Sequence, residues 1–253
     1  QNINKTSMVQ PLIFRLIAVL YIAFVFLTSA FFFPLALIIW LTTVLLDKRL
    51  RLLHGFTCFW ASSYIWLMPP WSVSIKGKEN IDANDTYVIV SNHQSLVDIL
   101  VAFTLFIHFK WVSKAELFNI PLIGWNMVLN RYIRLRRGDH KSVKTMYKAC
   151  EKHLKQGSSI YLFPEGTRSE SGKMRKFKEG AFVLAKRMQK PILPIVINGS
   201  RTALPKNSFN FHGETHIEVT VLPPILPESF REESAKDLAA QVQHRIKQHV
   251  VLD

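Results

Sequence analysis

Seven short segments, apolar throughout or alternating and rich in β-branched or aromatic residues, lie between polar or turn-forming positions over residues 72–222. They cover 72–75, 87–90, 109–112, 132–135, 160–163, 191–198 and 216–222, and they predict strands. Between them the spacing turns helical. Val143, Met146, Tyr147, Cys150 and Leu154 share one face of a helix over 142–156, which Gly157 ends. Ala181, Leu184, Ala185 and Met188 mark a face of another helix, and residues 99–106 form one after the second strand. Ser234, with Asp237 three positions on, starts a last amphipathic helix. Pro121 and Gly124 break up 113–124 and predict a structured turn there. Strands alternating with helices imply an α/β layered fold around a central sheet.

The first part of the chain follows neither period. Residues 16–46 hold no charged side chain, a run longer than one straight helix needs to cross a hydrocarbon core of about 30 Å. Pro34 lies inside it and predicts a kink or an interruption. Two arrangements follow: one tilted, kinked span, or two short helices forming a hairpin in one leaflet. A cleaved signal peptide does not fit, because the run is too long and lacks a small-x-small exit. Lys48, Arg49, Arg51 and His54 then form a basic collar suited to a membrane interface. Residues 55–71 are crowded with Phe56, Phe59, Trp60, Tyr64, Trp66 and Trp71, as in a helix at the headgroup boundary or one packed into a core. The chain therefore divides into a membrane-anchoring, interfacial helical segment over 1–71 and an α/β domain over 72–253.

Charge narrows the partners. The chain has 32 Lys and Arg against 18 Asp and Glu, net +14, and residues 1–46 contribute only Lys5 and Arg15 to it. Such a surplus favours nucleic acid, anionic headgroups, phosphorylated substrates or an acidic carrier protein. No helix-turn-helix, RRM or zinc pattern supports nucleic acid. Cys58 and Cys150 form no C-x-x-C and are expected to be packing thiols. No metal-ligand spacing appears, so neither a metal nor a cofactor is expected.

The candidate chemistry begins at Ser91-Asn92-His93-Gln94-Ser95-Leu96-Val97-Asp98, where a strand gives way to a helix. On one helix His93 and Asp98 would lie about 140° apart and never meet. They meet if the helix starts at Ser95, as its S-x-x-D pattern suggests, with His93 folded back over the first turn. Asp98 then fixes one imidazole nitrogen and leaves the other as a base. A second reading makes Asp98 only a helix cap and His93 an ordinary loop residue. A nucleophilic Ser91 or Ser95 is disfavoured because no G-x-S-x-G elbow is present. Arg136-Arg137-Gly138, at the end of a strand, is well placed to meet a phosphate.

Asn92-His93 through Asp98, together with Phe163-Pro164-Glu165-Gly166-Thr167-Arg168-Ser169, resembles the glycerolipid acyltransferase family, which includes bacterial 1-acylglycerol-3-phosphate acyltransferase. Four family blocks occur in order: N-H-x-x-x-x-D, a block from Lys114 to an arginine at Arg137, F-P-E-G-T-R-S, and the proline-containing strand Ile192-Leu193-Pro194-Ile195. The second block departs from the pattern. Arg136 stands where an acid is common, Arg131 where a glycine is, and either Arg137 or Arg136 fills the family arginine's place.

The resemblance implies a layered acyltransferase fold with a central mixed sheet flanked by helices. It implies transfer of an acyl chain from acyl-CoA or acyl-carrier protein to the sn-2 hydroxyl of lysophosphatidic acid, on the cytoplasmic face of a membrane, a bacterial inner membrane by this likeness. His93 is then the general base, oriented by Asp98, and Lys114 or nearby N–H groups meet the oxyanion. Arg137 and Arg168, with Gly166 and Thr167, meet the phosphate, while Glu165 holds Arg168 or the glycerol within that same binding block. Another lysolipid acceptor, or a non-catalytic lipid-binding factor on the same scaffold, stays open.

Overall fold

The computed structural model describes residues 3–169, 173–204 and 214–251, with side chains from Leu16 onward except Ala18. Its strands are β1 (Trp71–Lys76), β2 (Val88–Ser91), β3 (Phe109–Lys114), β4 (Ile133–Leu135), β5 (Ser159–Leu162), β6 (Ile192–Asn198) and β7 (Thr215–Val221). All seven expected strands are present. They form one mixed sheet in the order β1-β7-β6-β2-β5-β3-β4, parallel throughout except for the β6–β7 pair. Every residue of β6 is buried, as its unbroken apolar run requires of a central strand. Pro194 is tolerated there because the antiparallel ladder to β7 begins only at Ile195.

The helices are α1 (Ile3–Thr43), α2 (Arg51–Trp66), α3 (Val97–Phe103), α4 (Ile123–Leu129), α5 (His140–Lys155), α6 (Gly180–Met188), α7 (Ser200–Ala203) and α8 (Ala235–Lys247). One sheet face packs against α2, α3 and α7 through residues such as Cys58, Ile65, Val101, Ala203, Trp111 and Tyr161. The other packs against α5, α6 and α8 through Met146, Cys150, Phe182, Leu238 and Val242. Both cysteines are free and buried. Asp139 caps α5, its Oδ1 accepting from the amides of Lys141 and Ser142, and Ser234 caps α8.

Three expectations are corrected. Helix α1 runs unbroken through Pro34, so residues 16–46 are not two short helices; the chain turns back after Thr43, and α2 packs along α1. Phe32 packs on Trp60, and Tyr64 Oη donates to the Val25 carbonyl, a contact between the two helices. Within α1, Val19–Thr43 is long and apolar enough to cross a membrane, and little of it is buried. Second, His54 is no collar residue. The helical stripe Leu53, His54, Thr57, Cys58 faces inward, where His54 Nδ1 meets Tyr132 Oη at 2.9 Å and Nε2 meets the Ile107 carbonyl at 3.0 Å. Burial, then Lys110, push its pKa down to about 3. Third, the turn expected over 113–124 leads into α4. Gly124 lies within that helix because a Cβ there would come 2.5 Å from the Phe118 carbonyl oxygen.

The aromatic reading of 55–71 divides by helix face. Trp60 and Tyr64 are buried, whereas Phe59 and Trp66 are exposed beside the bare apolar side of α1.

Candidate active site

Strands β2, β5, β3 and β4 are consecutive and parallel, so their C-terminal ends open on one edge of the sheet. That edge is where open α/β sheets receive ligands. The chain places there His93 after β2, the Phe163–Ser169 turn after β5, Lys114 at the end of β3, and Arg137 just past β4.

Asp98, fully buried in the first turn of α3, reaches back toward the strand. Its Oδ2 accepts from His93 Nδ1 at 2.8 Å, from the Gln94 amide at 2.7 Å and from the Ser95 amide at 2.9 Å. The reach-back half of a capping box is thus present. The helix starts at Val97 rather than Ser95, because the Ser95 hydroxyl bonds the Leu204 carbonyl and the Val97 amide instead of the Asp98 amide. Asn92 does not enter the pair; its side chain bonds both the N–H and the carbonyl of Ile197 on β6 and so fixes the end of β2.

The imidazole of His93 lies flat on Phe163, ring centroids 3.8 Å apart at 12°, and Phe163 in turn stacks on Trp111. With Nδ1 held by a carboxylate and one ring face covered, Nε2 has no hydrogen-bond partner among the described residues. An imidazole so held can accept a proton at Nε2. The sequence showed Phe163 as the end of a strand and the start of the F-P-E-G-T-R-S block, but not its stacking on His93.

Glu165, expected to hold Arg168 or the acceptor glycerol, meets two backbone amides. It is buried, and both oxygens accept backbone amides: Oε1 that of His93 at 2.7 Å, Oε2 that of Arg175 at 2.8 Å. Burial pushes its pKa up to about 7, although both N–H bonds pull it down. The Ser169 amide completes the tie by donating to the His93 carbonyl at 2.9 Å.

Gly166 adopts φ +73°, and a Cβ there would come 3.0 Å from the end of the Lys178 side chain. Lys178 thus brings a cation to the turn. Thr167 and Arg168 follow, half-buried. The structure therefore brings His93, Asp98 and Glu165 into contact and groups Gly166, Thr167 and Arg168 in the adjoining turn. Lys114 is exposed and pairs with Glu116 at 3.8 Å, and Arg137 is exposed beyond β4. These two share the edge but are not in the hydrogen-bonded cluster. Among the described residues, no group of three His, Cys, Asp or Glu could hold a metal ion.

Residues 72–198 match the family model described as Acyltransferase. A 1-acyl-sn-glycerol-3-phosphate acyltransferase of Chlamydomonas reinhardtii is 35% identical over 87% of this chain and 68% of its own length. The chain belongs to the acyltransferase family. A chloroplastic 1-acyl-sn-glycerol-3-phosphate acyltransferase of Arabidopsis thaliana is 38% identical over 72% of this chain, which spans only 51% of that relative. The crystal structure of the 1-acyl-sn-glycerophosphate acyltransferase PlsC from Thermotoga maritima shares the fold, with a TM-score of 0.74 at 24% identity over 92% of this chain and 93% of that one. Arg131 has φ +54°, a left-handed conformation that glycine adopts freely.

Proposed function

We propose that this chain is a membrane-attached acyltransferase. It moves a fatty acyl group from acyl-CoA or acyl-carrier protein to the sn-2 hydroxyl of 1-acylglycerol-3-phosphate, giving phosphatidic acid. The observation that carries this reading is the 2.8 Å contact between His93 Nδ1 and Asp98 Oδ2, on an imidazole stacked against Phe163 at the ligand-receiving edge. Relatives named as 1-acylglycerol-3-phosphate acyltransferases support the acceptor.

His93 Nε2 takes the hydroxyl proton as the oxygen attacks the thioester carbonyl. Asp98 stabilises the resulting imidazolium. The tetrahedral oxyanion is met by Lys114 or by N–H groups of the edge, the C–S bond breaks, and the imidazolium returns its proton to the departing thiolate. Arg168 and Arg137, with Thr167 and the open backbone at Gly166, hold the acceptor phosphate. Glu165 positions His93 through its backbone.

The apolar helix α1 attaches the enzyme to the bilayer that holds both its acceptor and its product. Residues 1–71 serve attachment and 72–253 serve catalysis, on the cytoplasmic side where acyl thioesters are made. The test is acyl transfer by the purified chain in phosphatidylcholine vesicles, with products from a panel of lysolipids identified by mass spectrometry. Phosphatidic acid should form fastest. Lysophosphatidic acid ranking as the worst acceptor, or no transfer to any lysolipid, would overturn the proposal.

A further inference from the structure

Helix α5 carries lysines at 141, 144, 148, 152 and 155, spacings of three and four that align them on one face. All five are exposed, while Met146, Cys150 and Leu154 on the other side are buried. Among the described residues no acid pairs with any of them, and Glu151 of the same helix is held by Arg187 Nη1 at 3.0 Å. Like charges three or four apart on a helix destabilise it. Lys152 and Lys155 offset this at the negative end of the helix dipole, but Lys141 and Lys144 lie at the positive end, where cations are disfavoured. Helix stability gives no reason for the charge at that end.

Position narrows the occupant. Helix α5 lies on the sheet face shared with α6 and α8, whereas α2, against which the bare apolar helix α1 packs, covers the opposite face. The bare side of α1 thus belongs to the layer opposite α5; the turn after α1 meets the C-terminal end of α5, where Arg49 Nη1 donates to the Gly157 carbonyl at 3.1 Å, while Lys141, Lys144 and Lys148 lie toward the other end. The start of α5 follows β4, whose C-terminal end opens on the edge bearing His93. Three inter-strand steps, about 15 Å, separate β4 from β2.

We infer that the lysine face of α5 docks a small, soluble, acidic protein that carries the acyl thioester, so that its acyl-bearing arm reaches the His93 edge. This rests on the acyl-transfer reading above and assigns the donor's binding surface.

The test compares the full chain with K141E/K144E/K148E in phosphatidylcholine vesicles. Each is given one acyl chain on two donors, acyl-carrier protein and acyl-CoA. The variant should raise KM for the carrier-bound donor at least tenfold, with kcat and the acyl-CoA kinetics within twofold of wild type. Added salt should raise the wild-type carrier KM in the same way. K141Q/K144Q supplies the same comparison, with a smaller rise, should the charge reversal fail to fold. An unchanged carrier KM, or equal loss with both donors in the folded variant, overturns the inference. So does a variant whose only defect is weaker sedimentation with phosphatidylglycerol vesicles, which would make the face a lipid contact. Wild type that uses acyl-CoA but never the carrier sinks the docking surface and spares acyl transfer; wild type that uses neither sinks both.

Discussion

The backbone amide of His93 donates to Glu165 Oε1 at 2.7 Å, across a separation of 72 residues. The carboxylate's other oxygen holds the Arg175 amide. One buried side chain thus ties the histidine turn after β2, the turn after β5 and the basic loop beyond it. Rigid support of this kind is what keeps a reacting nitrogen in productive geometry.

Glu165 gives the chain a pH dependence whose sign can be worked out. Its pKa is raised to about 7 by burial, so the folded state holds this proton more tightly than the unfolded chain does. Its contribution to stability is therefore full below the ordinary carboxylate range and is lost as pH rises through about 7. Glu165→Gln cannot titrate. As pH goes from 5 to 8, wild type should lose melting temperature relative to E165Q, whatever the offset between them at pH 5. Parallel Tm–pH curves across that range would exclude the raised value.

His93→Ala should lower kcat by about 10²–10⁴-fold, with lysophosphatidic acid binding to the variant largely kept. Nearly normal turnover would reject His93 as the base. Asp98→Asn probes a different point, because Asp98 Oδ2 accepts three N–H groups at once. An amide that turns its NH₂ toward Nδ1 favours the tautomer with the proton on Nε2, which removes the base. D98N should match most of the kcat loss of H93A and also cost about 1–3 kcal/mol of stability, from a buried donor left unpaired. Full activity in D98N would show that Asp98 serves only the helix start.

What the sequence revealed and what it hid divide along physical lines. The central strands β2 and β6 were legible because burial on both faces demands continuous apolar runs, whereas β7 was legible because its burial alternates along the strand. The meeting of His93 with Asp98 was legible because it is local, set by the start of one helix. The partners of Glu165 were not, since it bonds backbone amides, which every non-proline residue carries and which leave no trace in side-chain chemistry. Helix α4 was hidden behind Pro121 and Gly124, residues that look like breakers until the Phe118 backbone appears beside Gly124. Lys110 and His54 were hidden for the opposite reason. They look like surface residues, yet Lys110 Nζ is buried between the carbonyls of Arg49 and Asn130, contacts far away in sequence.

Arg168 and Arg137 should separate in kinetics. A guanidinium that grips a phosphate is worth about 1.5–3 kcal/mol, or roughly ten- to a hundredfold in KM for the acceptor. Arg168→Ala should show that rise with little change in the acyl donor's KM. Arg137→Ala should show a smaller one, because Arg137 is exposed beyond β4 while Arg168 is half-buried in the turn bearing Gly166. A donor-specific effect in R168A would move Arg168 from the acceptor to the thioester side of the site.

Arg131 offers a test of the backbone itself. Its φ of +54° puts an L-residue in the left-handed region, at a cost of about 1–2 kcal/mol that glycine does not incur. Its side chain returns little, a 3.3 Å bond from Nη1 to the exposed Lys48 carbonyl. Its charge also opposes that of buried Lys110, whose pKa is pushed down to about 7 by burial first and Arg131 second. Arg131→Gly should therefore stabilise the protein by about 1 kcal/mol, a rise of roughly 2–4 °C in Tm for a chain of this size. Arg131→Ala separates the causes, because alanine removes the charge but keeps the Cβ that makes the conformation costly. Thermal denaturation of both variants decides: a rise in R131G well above that in R131A assigns the gain to backbone strain. Equal rises would assign it to relief of Lys110, and a lower Tm in R131G would show that the arginine side chain holds this turn in place.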